Sequence, residues 1–153
     1  MEERMINYIV HILLVEDDEI DAEAVVRAFQ RQNITNPLTI VQDGIEALNV
    51  LRGEGGHKRL PSPYIILLDI NLPRMNGIEF LQALRDDPAL KQSIVFMLTT
   101  SNRDEDKLAA YDRQTAGYLL KSRTGTDFAD LIALLTSYEQ IVEFPPAKKI
   151  EGE

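Results

Sequence analysis

The run Ile12-Leu13-Leu14-Val15-Glu16-Asp17-Asp18 decides the fold. From Ile9 to Val15 the side chains are mostly apolar and partly β-branched, and four carboxylates, Glu16 to Glu19, then follow without a break. A short apolar run closed by polar residues favours a strand over a helix. It does not alternate apolar with polar, so both faces are expected to be buried, as in a parallel sheet covered by helices. Four more runs have the same character: Leu38–Val41, Tyr64–Leu68, Ile94–Leu98 and Gly117–Leu120.

The segments between them carry helical spacing. After Glu19, residues Ala22, Val25, Val26 and Phe29 share one helical face. Asp43 is placed to cap a helix carrying Ile45, Leu48 and Leu51. Asn76-Gly77 opens another with Ile78, Leu81 and Leu84, ended by Asp86-Asp87-Pro88. A weaker pattern runs through Arg103–Arg113, and the last helix, from about Thr126, sets Phe128, Leu131, Ile132, Leu135 and Tyr138 on one side. Five strands alternating with five helices predict an α/β fold, a doubly wound parallel sheet with right-handed crossovers.

The length of 153 residues suits one domain. We expect a tail over 1–8, the domain over 9–143 and a second tail over 144–153, which begins near Pro145-Pro146; the Gly- and Pro-rich stretch 53–63 is expected to be a surface loop. Sixteen basic residues against 25 acidic ones leave a net charge of −9. That balance argues against nucleic acid and against an anionic membrane surface, since both require positive charge. The chain has no cysteine, which excludes disulfides, thiolate metal sites and cysteine nucleophiles. Met1-Glu2-Glu3-Arg4 lacks the character of a signal peptide, and no nearby run approaches the ~20 residues that span a bilayer. A soluble, cytoplasmic protein is expected.

In an open parallel sheet, ligands bind beyond the carboxyl ends of the strands. Those ends carry Glu16-Asp17-Asp18, Asp69-Ile70-Asn71-Leu72-Pro73, Thr99-Thr100-Ser101 and Lys121-Ser122. Carboxylates brought together repel one another unless a cation neutralises them. All-oxygen ligands select a hard cation, Mg2+ or alternatively Mn2+, which keeps waters and often meets a phosphate. A carboxylate is also a nucleophile that can form an aspartyl phosphate, with a hydroxyl and a lysine balancing charge on the phosphoryl oxygens. The set therefore points to phosphoryl transfer onto Asp69. Taken singly, each part has a plainer reading. Asp18, Glu19, Asp21 and Glu23 fit as charge at a helix N-terminus, Asp69, Thr100 and Ser101 as caps, Lys121 as a solvated lysine and Tyr118 as core.

With these residues in order, residues 9–140 resemble the receiver domain of bacterial two-component response regulators. The motifs are Ile12–Asp18, Ile66–Pro73 with Asn76-Gly77, Leu98-Thr99-Thr100-Ser101, and Gly117-Tyr118-Leu119-Leu120-Lys121. The resemblance implies a flavodoxin-like sheet of order 2-1-3-4-5. It implies Asp69 as phosphoacceptor from a phosphohistidine of a histidine kinase. Glu16 and Asp17 would bind Mg2+ with Asp69, and Asn71 would lend its backbone carbonyl. Thr99 is implied as the switch hydroxyl, Tyr118 as the aromatic that moves with it, and Lys121 as the lysine that pairs with the acceptor and then with the phosphate. Further partners would be a downstream protein target or a phosphotransfer protein.

Three departures from the family pattern stand out. Ser122 replaces the usual Pro, so the Lys121–Ser122 bond is expected trans, because a cis bond there costs about 3–4 kcal/mol. Thr100 replaces a smaller residue beside the switch hydroxyl, where its bulk would narrow access to Asp69. No output domain is visible, which suggests action by binding, relay or dimerisation. The insert at 53–63, the Leu-Thr-Thr-Ser sequence and the long last helix also resemble small receivers that serve phytochrome-type or other hybrid sensor kinases. Tyr138, Ile141, Val142 and Phe144 fit either a homodimer contact or packing onto the domain's own core. Three rivals share parts of this pattern: a Mg2+-dependent aspartyl-phosphate hydrolase, a flavodoxin-like FMN carrier, and a receiver-fold interaction module that is not phosphorylated. The first lacks its second acid, since position 71 is Asn, and the second would meet repulsion from Glu16-Asp17-Asp18.

Overall fold

Alternate residues of the central strands part into two apolar layers. The computed structural model describes residues 9–147. The tail expected over 1–8, and residues 148–153 of the second tail, lie outside the described residues. The elements are β1 (His11–Val15), α1 (Glu19–Arg31), β2 (Leu38–Val41), α2 (Gly44–Arg52), β3 (Tyr64–Leu68), α3 (Gly77–Asp86), β4 (Ile94–Thr99), α4 (Asp104–Asp112), β5 (Gly117–Leu120) and α5 (Ala129–Ile141). Every paired strand is parallel, in the order β2-β1-β3-β4-β5. This is the doubly wound, flavodoxin-like sheet expected.

Leu13, Val15, Ile66, Leu68, Val95 and Met97 point to one face, where Leu48, Leu51, Phe80, Leu81 and Leu84 of α2 and α3 cover them. Ile12, Leu14, Ile65, Leu67, Phe96 and Leu98 point to the other, against Val25 and Phe29 of α1 and Leu131 and Leu135 of α5. Two-sided burial is why these runs show no polar alternation. The edge strands are less covered: all four residues of β5 are only half-buried. No helix among the described residues is long and apolar enough to cross a membrane.

Three boundaries differ from expectation. Strand β1 starts at His11, because Ile9 lies before the sheet and is 65% exposed. Strand β4 continues through Thr99. Helix α5 starts at Ala129 rather than Thr126, since Asp127 and Phe128 adopt left-handed φ values of 52° and 59° and interrupt the helix. Two adjacent non-glycine residues in that region cost of order 1 kcal/mol each. They are compensated locally: Asp127 pairs with Arg31 of α1 and Phe128 packs onto the α1–α5 core layer. Beyond α5, Phe144 stacks edge-on against Tyr138, which does the same to Phe96, with centroids 6.1 and 5.1 Å apart. These two aromatic side chains thus pack on the domain's own core, whereas Ile141 is 74% exposed.

Candidate functional site

The chain runs outward from β1 to β2 on one side and to β3 on the other, so the reversal of winding falls between β1 and β3. Such a switch point opens a crevice at the strands' carboxyl ends. Glu16-Asp17 closes one of these strands and Asp69 the other. Oxygen atoms of Glu16, Asp17 and Asp69 all lie within 4.8 Å of one another. Glu16 and Asp69 are buried, at 3% and 7% exposure, and Asp17 is exposed.

Local hydrogen bonds explain why the loop after β1 turns as it does. Asp18 is the N-cap of α1 and accepts from the backbone N–H groups of Ile20 and Asp21 at 2.9 and 3.0 Å. Its own N–H donates to Glu16 Oε2 at 3.1 Å. In a capping box the acid three residues after the cap would reach back to that N–H. Here Glu16 has taken it, and the acid at that position, Asp21, faces elsewhere.

It faces Lys121. The Lys121 ammonium donates to Glu16 Oε1 at 2.5 Å, to Asp21 Oδ2 at 2.7 Å and to Asp69 Oδ2 at 3.4 Å. An ammonium has three N–H donors and no acceptor, so three carboxylates saturate it. Asp69 Oδ1 accepts from the Ile70 N–H at 2.7 Å, which fixes the carboxylate plane. Gly77, the first residue of α3, donates its N–H to the Ile70 carbonyl, and a Cβ at this position would stand 2.1 Å from the Asp69 carbonyl oxygen. Only glycine lets the start of α3 approach the end of β3 so closely.

Burial pushes the Glu16 carboxyl up to about 7, with the Asp69 charge adding and the Lys121 hydrogen bond opposing. Lys121 is raised: burial alone would lower it, but the hydrogen bonds to Asp21 and Glu16 and the Asp69 charge outweigh that. One ammonium thus faces Glu16, Asp21 and Asp69, with the Asp17 carboxylate beside Glu16 and Asp69, and the cluster keeps an excess of negative charge. An all-oxygen donor set with excess charge is the chemistry that holds a hard divalent cation, which fits the residues present.

The hydroxyl side is built differently. Thr99 is fully buried at the end of β4, and its Oγ1 accepts from the Ser101 N–H at 3.2 Å. Tyr118, on β5, donates its hydroxyl to the Ser101 carbonyl at 2.9 Å, and burial raises its pKa. The Ser101 hydroxyl donates to Asp106 on α4 at 2.5 Å and accepts from the Arg103 N–H at 3.4 Å. Ser101 therefore ties Thr99, Tyr118 and α4 together. Neither Thr100 nor Ser101 caps α4: its N-cap residue is Arg103, with no side-chain capping bond. Ser101 instead spends its hydroxyl on Asp106, in the first turn of the helix.

Glu16, Asp17, Asp69 and Lys121 thus meet as the sequence suggested, with Thr99 at the end of the strand adjoining β3. Asn71 lies exposed in the loop two residues past Asp69. Lys121 opens a 3-10 turn, Lys121–Arg123, joined by a trans bond to Ser122. Buried Thr124 closes this turn by donating to the Lys121 carbonyl at 2.7 Å. Sequence reasoning missed Thr124, the knot at Ser101 and the role of Asp21. No local signal marked Asp21, because its partner Lys121 lies 100 residues away.

The family model of the response regulator receiver domain matches residues 12–134. Response regulator Rcp1 of Synechocystis sp. is 36% identical over 127 residues, 83% of this chain and 86% of the relative. Among solved structures, the Mn(2+)-bound form of response regulator Rcp1 superposes with a TM-score of 0.78 at 35% identity, covering 91% of this chain and 100% of that one. The phosphorylated cyanobacterial phytochrome response regulator RcpA does so with a TM-score of 0.80 at 30% identity, covering 92% and 100%.

Proposed function

The chain belongs to the response regulator receiver family, and from that premise we propose that it is a cytoplasmic signalling protein that accepts a phosphoryl group on Asp69 from a histidine kinase and so changes its protein-binding surface. The observation that carries this reading is the convergence on Asp69. Its carboxylate is nine-tenths buried, within 4.8 Å of the Glu16 and Asp17 oxygens and 3.4 Å from the Lys121 ammonium.

An Asp69 oxygen attacks phosphorus, the P–O bond forms as the P–N bond to the donor histidine breaks, and the electron pair returns to the imidazole. The imidazole leaves neutral, keeping the proton on its other nitrogen. Glu16, Asp17, Asp69 and the Asn71 carbonyl would hold Mg2+, or Mn2+ as in the Rcp1 structure. The ion supplies positive charge for the phosphoryl oxygens. Lys121 neutralises the same oxygens from the protein side, and the Thr99 hydroxyl donates to them. Phosphorylation adds about −1.5 to −2 charges. To reach them Thr99 gives up its bond to the Ser101 N–H, which disturbs the link through Ser101 to Tyr118 and α4. The face of α4, β5 and α5 is the proposed docking surface for a downstream target or phosphotransfer protein. Similarity to RcpA supports a phytochrome-type sensor kinase as donor. The functional unit is proposed to be residues 9–143.

The test is incubation with Mg2+ and acetyl phosphate followed by intact mass. The wild type should gain one phosphoryl group and Asp69→Asn none. A receiver-fold module that only binds would gain none in either form, and a hydrolase would turn over small phosphate esters.

A further inference from the structure

We propose that Asp21 is a positioning residue that draws Lys121 away from Asp69 and so restrains the loading of phosphate. This rests on the reading of Asp69 as acceptor. The Lys121 ammonium sits 2.7 Å from Asp21 Oδ2 but 3.4 Å from Asp69 Oδ2. Its three N–H donors are shared among three carboxylates, and the Asp69 contact is the longest of the three. Asp21 is held in place for this. Its backbone N–H is fixed by the Asp18 cap, and the N–H to which a capping acid would turn is taken by Glu16.

The consequence lies in what happens when phosphate arrives. Lys121 must trade a carboxylate partner for a phosphoryl oxygen, and Asp21 competes for the same ammonium in both the free and the loaded states. The Asp21 side chain is 33% exposed, at the mouth of the cluster, whereas Glu16 is sealed at 2%. Asp21 is therefore the partner that can be removed without opening the buried acidic pair.

With acetyl phosphate the reaction balances without a proton. The Asp69 carboxylate displaces acetate from phosphorus, one P–O bond forms, one breaks, and acetate leaves with the electron pair. Asp21→Asn should speed this loading about two- to fivefold, the worth of one partly exposed ion pair. It should tighten binding of beryllium fluoride, a phosphoryl mimic, by the same factor. Asp21→Glu should return both quantities towards the wild-type values. Glu19→Gln removes an equal charge from the same helical turn, and its side chain forms no part of the cluster. It should leave both quantities unchanged, which separates pairing from general repulsion of an anion.

Should Asp21→Asn fail to fold, Asp21→Ser serves in its place. Equal or slower loading in a folded Asp21 variant, or equal acceleration by Glu19→Gln, overturns the proposal. If wild-type protein takes up no phosphoryl group, the reading of Asp69 falls and this one with it. If the wild type loads but Asp21→Asn does not quicken, only the role of Asp21 falls.

Discussion

Helices α3 and α4 follow two neighbouring strands, one leading into Asp69 and the other ending in Thr99, and they are held in opposite ways. Helix α3 begins with a complete capping box between Asn76 and Glu79 and buries Gly77, Phe80, Leu81 and Leu84. Helix α4 has no side-chain cap and buries Ala110 alone, while Leu108 and Tyr111 are 65% and 53% exposed. On the proposed function, the contrast would assign the parts of a switch. The backbone at Asp69 is clamped by Gly77, so the proposed nucleophile would be held in place. The hydroxyl's loop leads into a helix with little burial to hold it, and such elements open at low free energy. Chemistry fixed on one side and response left loose on the other is what a phosphorylation switch needs.

The largest test of this contrast is in stability. Phe80→Ala should cost about 3–5 kcal/mol, because its ring is fully buried between α3 and the sheet. Leu108→Ala should cost less than about 0.5 kcal/mol. Chemical denaturation of both variants measures this, and comparable losses would break the contrast.

The same contrast explains what was legible in the sequence. The α3 pattern was plain because a buried face forces Ile78, Leu81 and Leu84 into register, and its cap is local, from Asn76 to Glu79. The α4 pattern was weak because nothing packs there strongly enough to require periodicity. Strands β1, β3 and β4 were legible to within a residue or two, since two-sided burial leaves an unbroken apolar run. The acidic cluster was legible because the topology delivers Glu16, Asp17 and Asp69 to one crevice. The partners of Lys121 were not, since Glu16 and Asp21 lie 105 and 100 residues away and nothing local marks the pairing. Asp21 passed for ordinary helix-terminal charge, and Ser101 for a cap. A side chain that satisfies a local rule can instead be spent on a distant partner.

A second test sharpens the contrast through pH. Glu16 is pushed up to about 7 by burial, so near neutrality part of the population carries a proton that a divalent ion must displace. Mg2+ affinity should therefore rise between pH 6 and pH 8, on the order of tenfold, and level off above. Without the ion the sign is opposite for stability. The folded state holds this proton from the ordinary value of 4.5 up to about 7 while the unfolded chain has lost it. The contribution of Glu16 to stability is thus present below 4.5 and is lost as pH rises through 7. Calorimetric titration at both pH values checks the first statement and thermal melts check the second. Hydrogen exchange on the Mg2+-loaded protein should show added protection around β1 and β3 and none in α4. A pH-independent affinity would remove Glu16 from the proposed metal site.

The smallest effect probes the loose side directly. Tyr118→Phe removes only the hydroxyl that donates to the Ser101 carbonyl at 2.9 Å. The bond is partly exposed and water can take over the carbonyl, so global stability should fall by less than about 1 kcal/mol. Local behaviour should change more, because Ser101 is also the residue that holds Asp106 of α4 and the Thr99 hydroxyl. Amides of α4 should exchange several-fold faster while those of α3, which shares none of these bonds, stay as they were. Equal acceleration in both helices would mean that they open as one cooperative unit, and a switch confined to the hydroxyl side would then have no structural basis.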